Sequence, residues 1–195
     1  MNTTTFSTFT GTSTSRNRNS KPPFRKTRMR VLGIDTGSRV TGYGVIETDG
    51  ADCVFVDCGV IRVNPSDALP LRLKVIHDKV TSVIVDCKPD QAAFESVFHS
   101  ANVQSALKLG HARGVCIHAA ANLDVPVFEY SPMEVKSAVT GYGRAEKPQV
   151  QQMVRALLKI ADWTEPYDAS DALAVAICHA HTHRFKKALA GGSAR

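Results

Sequence analysis

The chain has 195 residues, 43% hydrophobic and 22% charged, enough for one globular domain with a sizeable core and not comfortably two. No apolar run reaches the ~18 residues that a membrane-spanning helix needs. The formal charge is +6, but Arg16, Arg18, Lys21, Arg25, Lys26 and Arg28 already supply it without one acid, and the 18 basic and 18 acidic residues that follow cancel, so bulk charge gives no argument for a nucleic-acid surface.

Residues 1–28 are rich in Thr, Ser and Asn, lack apolar periodicity and read as a disordered basic tail. A transit peptide is the alternative, but the amphipathic helix it requires is missing. Met29 opens directly onto a first strand, so a start upstream of the true one is a further reading. Residues 29–187 are expected to form one domain and 188–195 a flexible C-terminus.

Strands are predicted at about 30–35, 40–47 and 52–61, separated by the turn signals Gly37-Ser38 and Asp49-Gly50. Asn64-Pro65-Ser66-Asp67 reads as a loop and helix cap leading into a helix over 69–87, with Leu73, Ile76, Val80, Val83 and Ile84 at helical spacing. A short strand follows at 90–95, then a helix over 101–122 and a fifth strand at 125–129. Two helices, about 132–139 and 146–160, flank Gly141-Tyr142-Gly143, and a last helix begins near Asp168. Strands first, then helices alternating with strands, predict an α/β fold: a mixed five-stranded sheet flanked by helices.

Ala106, Gly110 and Gly114 recur every four residues in the long helix. Such a stripe admits a close neighbour, either a helix of the same chain or a second subunit across a two-fold axis. The five cysteines form no Cys-x-x-Cys pair and are odd in number, the usage of reduced thiols in a cytoplasmic protein.

Four carboxylates stand in awkward places. Asp35 ends an apolar strand, Glu95 ends a strand inside AAFESVF, and Asp168 and Asp171 open the last helix in YDASDALAVAI. Each has an ordinary explanation. Asp35 caps a turn, Glu95 faces water at a sheet edge, Asp168 caps the helix and Asp171 answers its dipole. Together they fit another account, because strand ends and a helix start can bring all four to one place. Converging carboxylates resist ionisation, and hard divalent cations such as Mg²⁺ or Mn²⁺ relieve them. Two such ions about 4 Å apart activate water and stabilise the leaving oxygen of a phosphodiester.

A local basic surplus lies nearby: Lys136, Arg144, Lys147, Arg155 and Lys159 against Glu146 alone, with Arg144 and Lys147 beside the Gly-Tyr-Gly loop. It suits phosphate neutralisation, although a solvated helix face explains Arg155 and Lys159 equally well. His179, His181 and His183 alternate and so do not share a helix face, which argues against a metal site there.

From Met29 to about His183 the chain resembles the RuvC-type Holliday-junction resolvases, through GIDTGSRVTGYGVI, FESVF, SALKLGHARGV, PVFEY, VKSAVTGYGRAEKPQVQQMV and DASDALAVAICH in order. The resemblance implies a ribonuclease H-like fold and Mg²⁺-dependent cleavage of four-way junction DNA, leaving 5′-phosphate and 3′-hydroxyl ends. It implies Asp35, Glu95, Asp168 and Asp171 as metal-binding catalytic acids, Lys136 and Lys147 as lysines acting on the DNA backbone, and Phe98 as an aromatic contacting bases near the crossover. It further implies a homodimer working with the RuvA–RuvB branch-migration machinery. Thr36 stands where the family usually has proline and Ser96 where it commonly has glutamine, which bears on turn geometry and substrate preference. Two other classes remain. One is an ATP-using phosphotransferase of the actin and sugar-kinase type, which needs a second Asp-x-Gly-Ser turn; the other is a junction-binding protein without catalysis.

Overall fold

The computed structural model describes residues 28–96 and 102–192, with side chains through residue 182. The chain runs β1 (Met29–Asp35), β2 (Val40–Thr48), β3 (Cys53–Arg62), α1 (Leu69–Cys87), β4 (Gln91–Glu95), α2 (Val103–Ala121), β5 (Val127–Tyr130), α3 (Pro132–Thr140), α4 (Lys147–Leu158) and α5 (Tyr167–Gly192). The strands form one sheet in the order β3-β2-β1-β4-β5. β1 pairs antiparallel with β2, and β2 with β3, whereas β1–β4 and β4–β5 are parallel. This is the ribonuclease H-like arrangement that the resemblance implies.

Strand parity sorts the two faces. Leu32, Ile34, Val45, Ala92 and Phe94 pack under α1 and α2 with Ile76, Val80, Ala112 and Cys116. Val31, Ile46, Ala93 and Tyr130 face the other way, against Val135, Val150, Val154, Leu173 and Ile177 of α3, α4 and α5. Side chains alternate across a strand, so Asp35 shares a face with Val31, and Gln91 and Glu95 share one with Ala93. Both acids therefore look toward α5. The β1–β4 register, with Gly33 opposite Ala93 and Ile34 opposite Phe94, brings them to the same end of adjacent strands.

α5 lies on bare backbone. A Cβ built on Gly33 would stand 2.1 Å from the Ala172 carbonyl oxygen, and one on Gly42 would stand 1.9 Å from that of Asp168. A Cβ on Gly44 would meet the Leu173 side chain at 2.6 Å. Opposite these glycines α5 presents Ala169, Ala172, Leu173, Ala176 and Ile177, all fully buried. What approaches the β2 glycines so closely is thus the chain's own last helix.

Local chemistry explains the element ends, with one departure from expectation. Asn64 closes an Asx turn, its side chain accepting from Ser66 N–H at 3.0 Å, but the residue capping α1 is Ala68, which offers no side-chain cap. Pro70 in the first turn fits the helix start, and Lys88, at φ 48°, ends it. α3 opens on a capping box: Ser131 Oγ accepts from Glu134 N–H at 3.3 Å, and Glu134 Oε2 accepts from Ser131 N–H at 2.7 Å. Gly141 closes α3 at φ 75°.

Among the described residues, nothing packs against the two glycines of the small-residue stripe on α2. Gly110 and Gly114 are exposed, with nothing within 4 Å of where a Cβ would sit; α1 packs instead against the side of α2 that buries Ala112, Cys116 and Ala119. All five cysteines are free thiols.

Candidate active site

Asp35, Glu95 and Asp171 line one cavity of about 260 Å³ together with Lys136, Lys147, Pro132, Val135, Val150 and Ala174. Each is delivered by a different element. Asp35 and Glu95 are the last residues of β1 and β4, and Asp171 lies one turn into α5. Pro132, Val135 and Lys136 form one face of α3 at spacings of three and four, oriented by the Ser131 capping box. Lys147 and Val150 do the same for α4.

The electrostatics are those of crowded anions. Burial, reinforced by Glu95, Asp171 and Asp168, pushes the Asp35 carboxyl from its ordinary 3.8 up to about 7, with Lys147 opposing. Glu95 is also raised, first by burial and then by Asp171, while Lys147 and Lys136 pull it down. Lys147 sits at the first position of α4, where the helix dipole disfavours a cation. Its Nζ donates to Asp171 Oδ2 at 2.7 Å, and that bond holds the ammonium's pKa above its usual value. The Lys147 side chain is 60% exposed and that of Asp171 19%, so the pair is reachable from solvent and adds little to stability.

Asp168 is placed differently from the other three acids. It lies in the first turn of α5, where the dipole favours it, rather than at the cap position. It is absent from the cavity lining, although its charge acts on both Asp35 and Lys147. Its backbone carbonyl is the group pressed against Gly42. Arg144 is exposed in the loop between α3 and α4, away from the lining. Phe98 lies outside the described residues. Among the described residues, no three His, Cys, Asp or Glu side chains stand close enough to share one ion.

The donor set nonetheless fits a hard divalent cation. It consists of carboxylate oxygens alone, partly buried and mutually repelling, with an Asp35 whose charged form is disfavoured until positive charge arrives. A larger cavity of about 350 Å³ between β3 and α1, lined by Tyr43, Asp57, Lys79 and Asp86 among others, contains none of the candidate catalytic or DNA-binding residues.

One further contributor was invisible in the sequence. Arg113 of α2 donates from Nε to the Glu95 carbonyl oxygen at 3.4 Å, pairs with Glu129 at 2.9 Å, and lies over the Phe94 ring at 6.0 Å. It steadies the end of β4 from the far side of the sheet. Only its place inside an otherwise apolar helix face could have drawn attention to it.

The family model for crossover junction endodeoxyribonuclease RuvC matches residues 31–179. The enzyme of that name from Syntrophotalea carbinolica is 56% identical over 153 residues, covering 78% of this chain and 94% of its own. Thermus thermophilus RuvC, solved in complex with a Holliday-junction substrate, superposes with a TM-score of 0.77 at 35% identity, covering 81% of this chain and 96% of that one. The yeast mitochondrial Holliday-junction resolvase Ydc2 shares the fold, with a TM-score of 0.59 at 14% identity over 82% of this chain and 81% of its own. Among the described residues no helix is long and apolar enough to cross a membrane. The chain belongs to the RuvC family of crossover junction endodeoxyribonucleases.

Proposed function

We propose that this chain resolves four-way DNA junctions in recombination and repair, cutting two opposed strands by metal-dependent hydrolysis at the cavity lined by Asp35, Glu95 and Asp171. One observation carries the reading: in a RuvC-family chain, three acids from β1, β4 and α5 share a single cavity with Lys136 and Lys147.

Asp35, Glu95 and Asp171, with Asp168 at the edge, are the residues that would hold Mg²⁺, two ions per site, with Mn²⁺ as a substitute. The bound cation supplies Lewis-acid activation of water and of the phosphodiester. The side chains do the rest. Asp35 and Glu95, fixed on strand ends, orient the site and set its negative potential. Lys147 leaves Asp171 for a phosphate oxygen when the strand enters, since both partners are accessible. Lys136 faces the same cavity and meets the backbone beside it. Water adds to phosphorus, the P–O3′ bond breaks, and the 3′ oxygen takes up a proton, leaving 5′-phosphate and 3′-hydroxyl ends that a ligase can seal. Arg144 and Phe98 complete the proposed DNA contacts, Arg144 from its exposed loop.

Two symmetric nicks require two such sites about a two-fold axis. The supporting surface is α2, where Val103 (73% exposed) and Leu107 (59%) continue through Gly110 and Gly114 along one helix face. A second copy of α2 laid against it buries an apolar strip that none of the described residues covers. Family membership supports the RuvA–RuvB branch-migration complex as partner, and a DNA substrate together with five free thiols supports a cytoplasmic location.

The test is a gel assay on a synthetic four-way junction and on linear duplex, with and without Mg²⁺, for the wild type and Asp35→Asn. Cleavage of the junction alone, only with Mg²⁺, into ligatable products, and lost in Asp35→Asn with junction binding retained, is the expected result. Intact junctions with Mg²⁺ present, or equal cleavage by the variant, overturn the proposal.

A further inference from the structure

We propose that His179 is a positioning residue for the nuclease site: gripped by Gln91 and Tyr130, it fixes the register of α5 along β4 and thereby the place of Asp171 beside Glu95. The inference rests on the carboxylate site proposed above and adds how the fold sets its spacing.

His179 is completely buried in the middle of α5. Its Nε2 lies 2.6 Å from Gln91 Oε1 and its Nδ1 lies 2.8 Å from the Tyr130 hydroxyl. The amide oxygen of Gln91 only accepts, so Nε2 carries a proton. In the neutral ring Nδ1 then accepts, and Tyr130 O–H donates to it. Burial pushes the Tyr130 hydroxyl up to about 12, so that donor persists through the working range. The Phe128 ring, 4.6 Å away between centroids, and the edge-on Tyr130 ring close the pocket around the imidazole.

The placement matters because His179 shares α5 with Asp171 and Gln91 shares β4 with Glu95, at matched intervals. His179 lies eight residues beyond Asp171 on α5, about 12 Å along a helix. Gln91 lies four residues before Glu95 on β4, about 13 Å along a strand. Tyr130 is the β5 residue paired with Glu95 in the sheet register. Helix and strand run in opposite directions, so anchoring His179 at the Gln91 end leaves Asp171 at the Glu95 end. A slip of one helical residue moves Asp171 by about 1.5 Å and turns it by about 100°, out of the cavity. The close seat of α5 on the glycines opposes such a slip sterically, and two directional hydrogen bonds add a preference for one register.

The test uses the full chain with Tyr130→Phe, which removes one oxygen, and Gln91→Met, which keeps the volume, beside Asp35→Asn as control. Mn²⁺ affinity is measured by calorimetry without DNA, junction affinity in EDTA, and cleavage rate against Mg²⁺ concentration. Both clasp variants are expected to weaken Mn²⁺ binding by about tenfold and to raise the Mg²⁺ needed for half-maximal cleavage in the same ratio, with junction affinity within about twofold of the wild type. Lower melting temperatures with unchanged Mn²⁺ affinity and unchanged Mg²⁺ dependence overturn the proposal, because the triad then only packs. Wild-type Mn²⁺ binding by Asp35→Asn instead refutes the metal reading itself, and this inference with it.

Discussion

Replacing Asp35 by Asn should make the metal-free protein more stable while destroying its activity. Asp35 titrates at about 7 in the fold against an ordinary 3.8, a rise caused first by burial and then by Glu95, Asp171 and Asp168. That rise is about three powers of ten in acidity, roughly 4 kcal/mol. The sign follows from linkage. With the folded pKa raised, the wild type keeps its full stability below pH 3.8, loses it progressively as pH climbs, and has lost it once pH passes about 7. Asn has no such titration. The stability of Asp35→Asn relative to wild type should therefore increase from under about 1 kcal/mol near pH 4 to roughly 4 kcal/mol at pH 8. For a chain of this length that corresponds to a melting temperature higher by roughly 10 °C at pH 8. The assay is urea unfolding of both proteins in EDTA between pH 4 and 8. Amide packing adds only a constant offset, so the slope of the difference is the measured quantity. Repeating the pH 8 series with Mg²⁺ at about one hundred times its dissociation constant should return about 2.7 kcal/mol to the wild type and little to the variant. A difference that stays flat with pH, or falls as pH rises, refutes the idea that a crowded, buried carboxylate sits there.

Three further outcomes test other parts of the site. Gly42→Ala should destabilise the protein by about 2–4 kcal/mol and reduce cleavage, because its Cβ would stand 1.9 Å from the Asp168 carbonyl oxygen; chemical denaturation and the junction assay measure both effects, and wild-type values refute the close approach. Lys147→Ala should slow single-turnover cleavage about 100-fold while weakening junction binding only a few-fold, since it removes the cation paired with Asp171 that is proposed to meet the reacting phosphate; an unchanged rate returns Lys147 to the solvent-facing surface. Leu107→Asp should convert the proposed dimer to monomers, measured by light scattering, because it would bury a charge at the centre of the α2 stripe; a mass equal to that of the wild type refutes the α2 contact.

Much of this was legible in the sequence, for identifiable reasons. Period-2 alternation and the Asp49-Gly50 turn located β1 to β3 within a residue or two, and the apolar spacing of Ile76, Val80 and Ile84 located α1. The same parity rule turns Asp35 and Glu95 each to one side of its strand, and the parallel β1–β4 register, which no local pattern announces, then brings them together. Asp168 was harder, because acid at a helix start reads alike whether it caps, answers the dipole or binds a ligand. The structure places it in the first turn, beside the cavity lining rather than within it. Long-range partnerships left no local trace. Helical spacing separates His179 from His181 and His183, yet nothing in spacing announces Gln91, 88 residues away, or Tyr130, 49 residues away. Gly42 and Gly44 of β2 permit a close approach, but only the tertiary structure shows that α5 makes it.

The contact between α5 and the glycines has a thermal consequence. Where a helix rests on a sheet through methyl groups and main-chain atoms, few rotatable bonds separate the two surfaces, and little side-chain entropy is released when they part slightly. The layer carrying Asp168 and Asp171 thus has no soft intermediate between seated and detached. Heating should abolish hydrolysis and melt the domain at one temperature, and the amides of Ala172 to Ile177 should exchange with deuterium only through global opening.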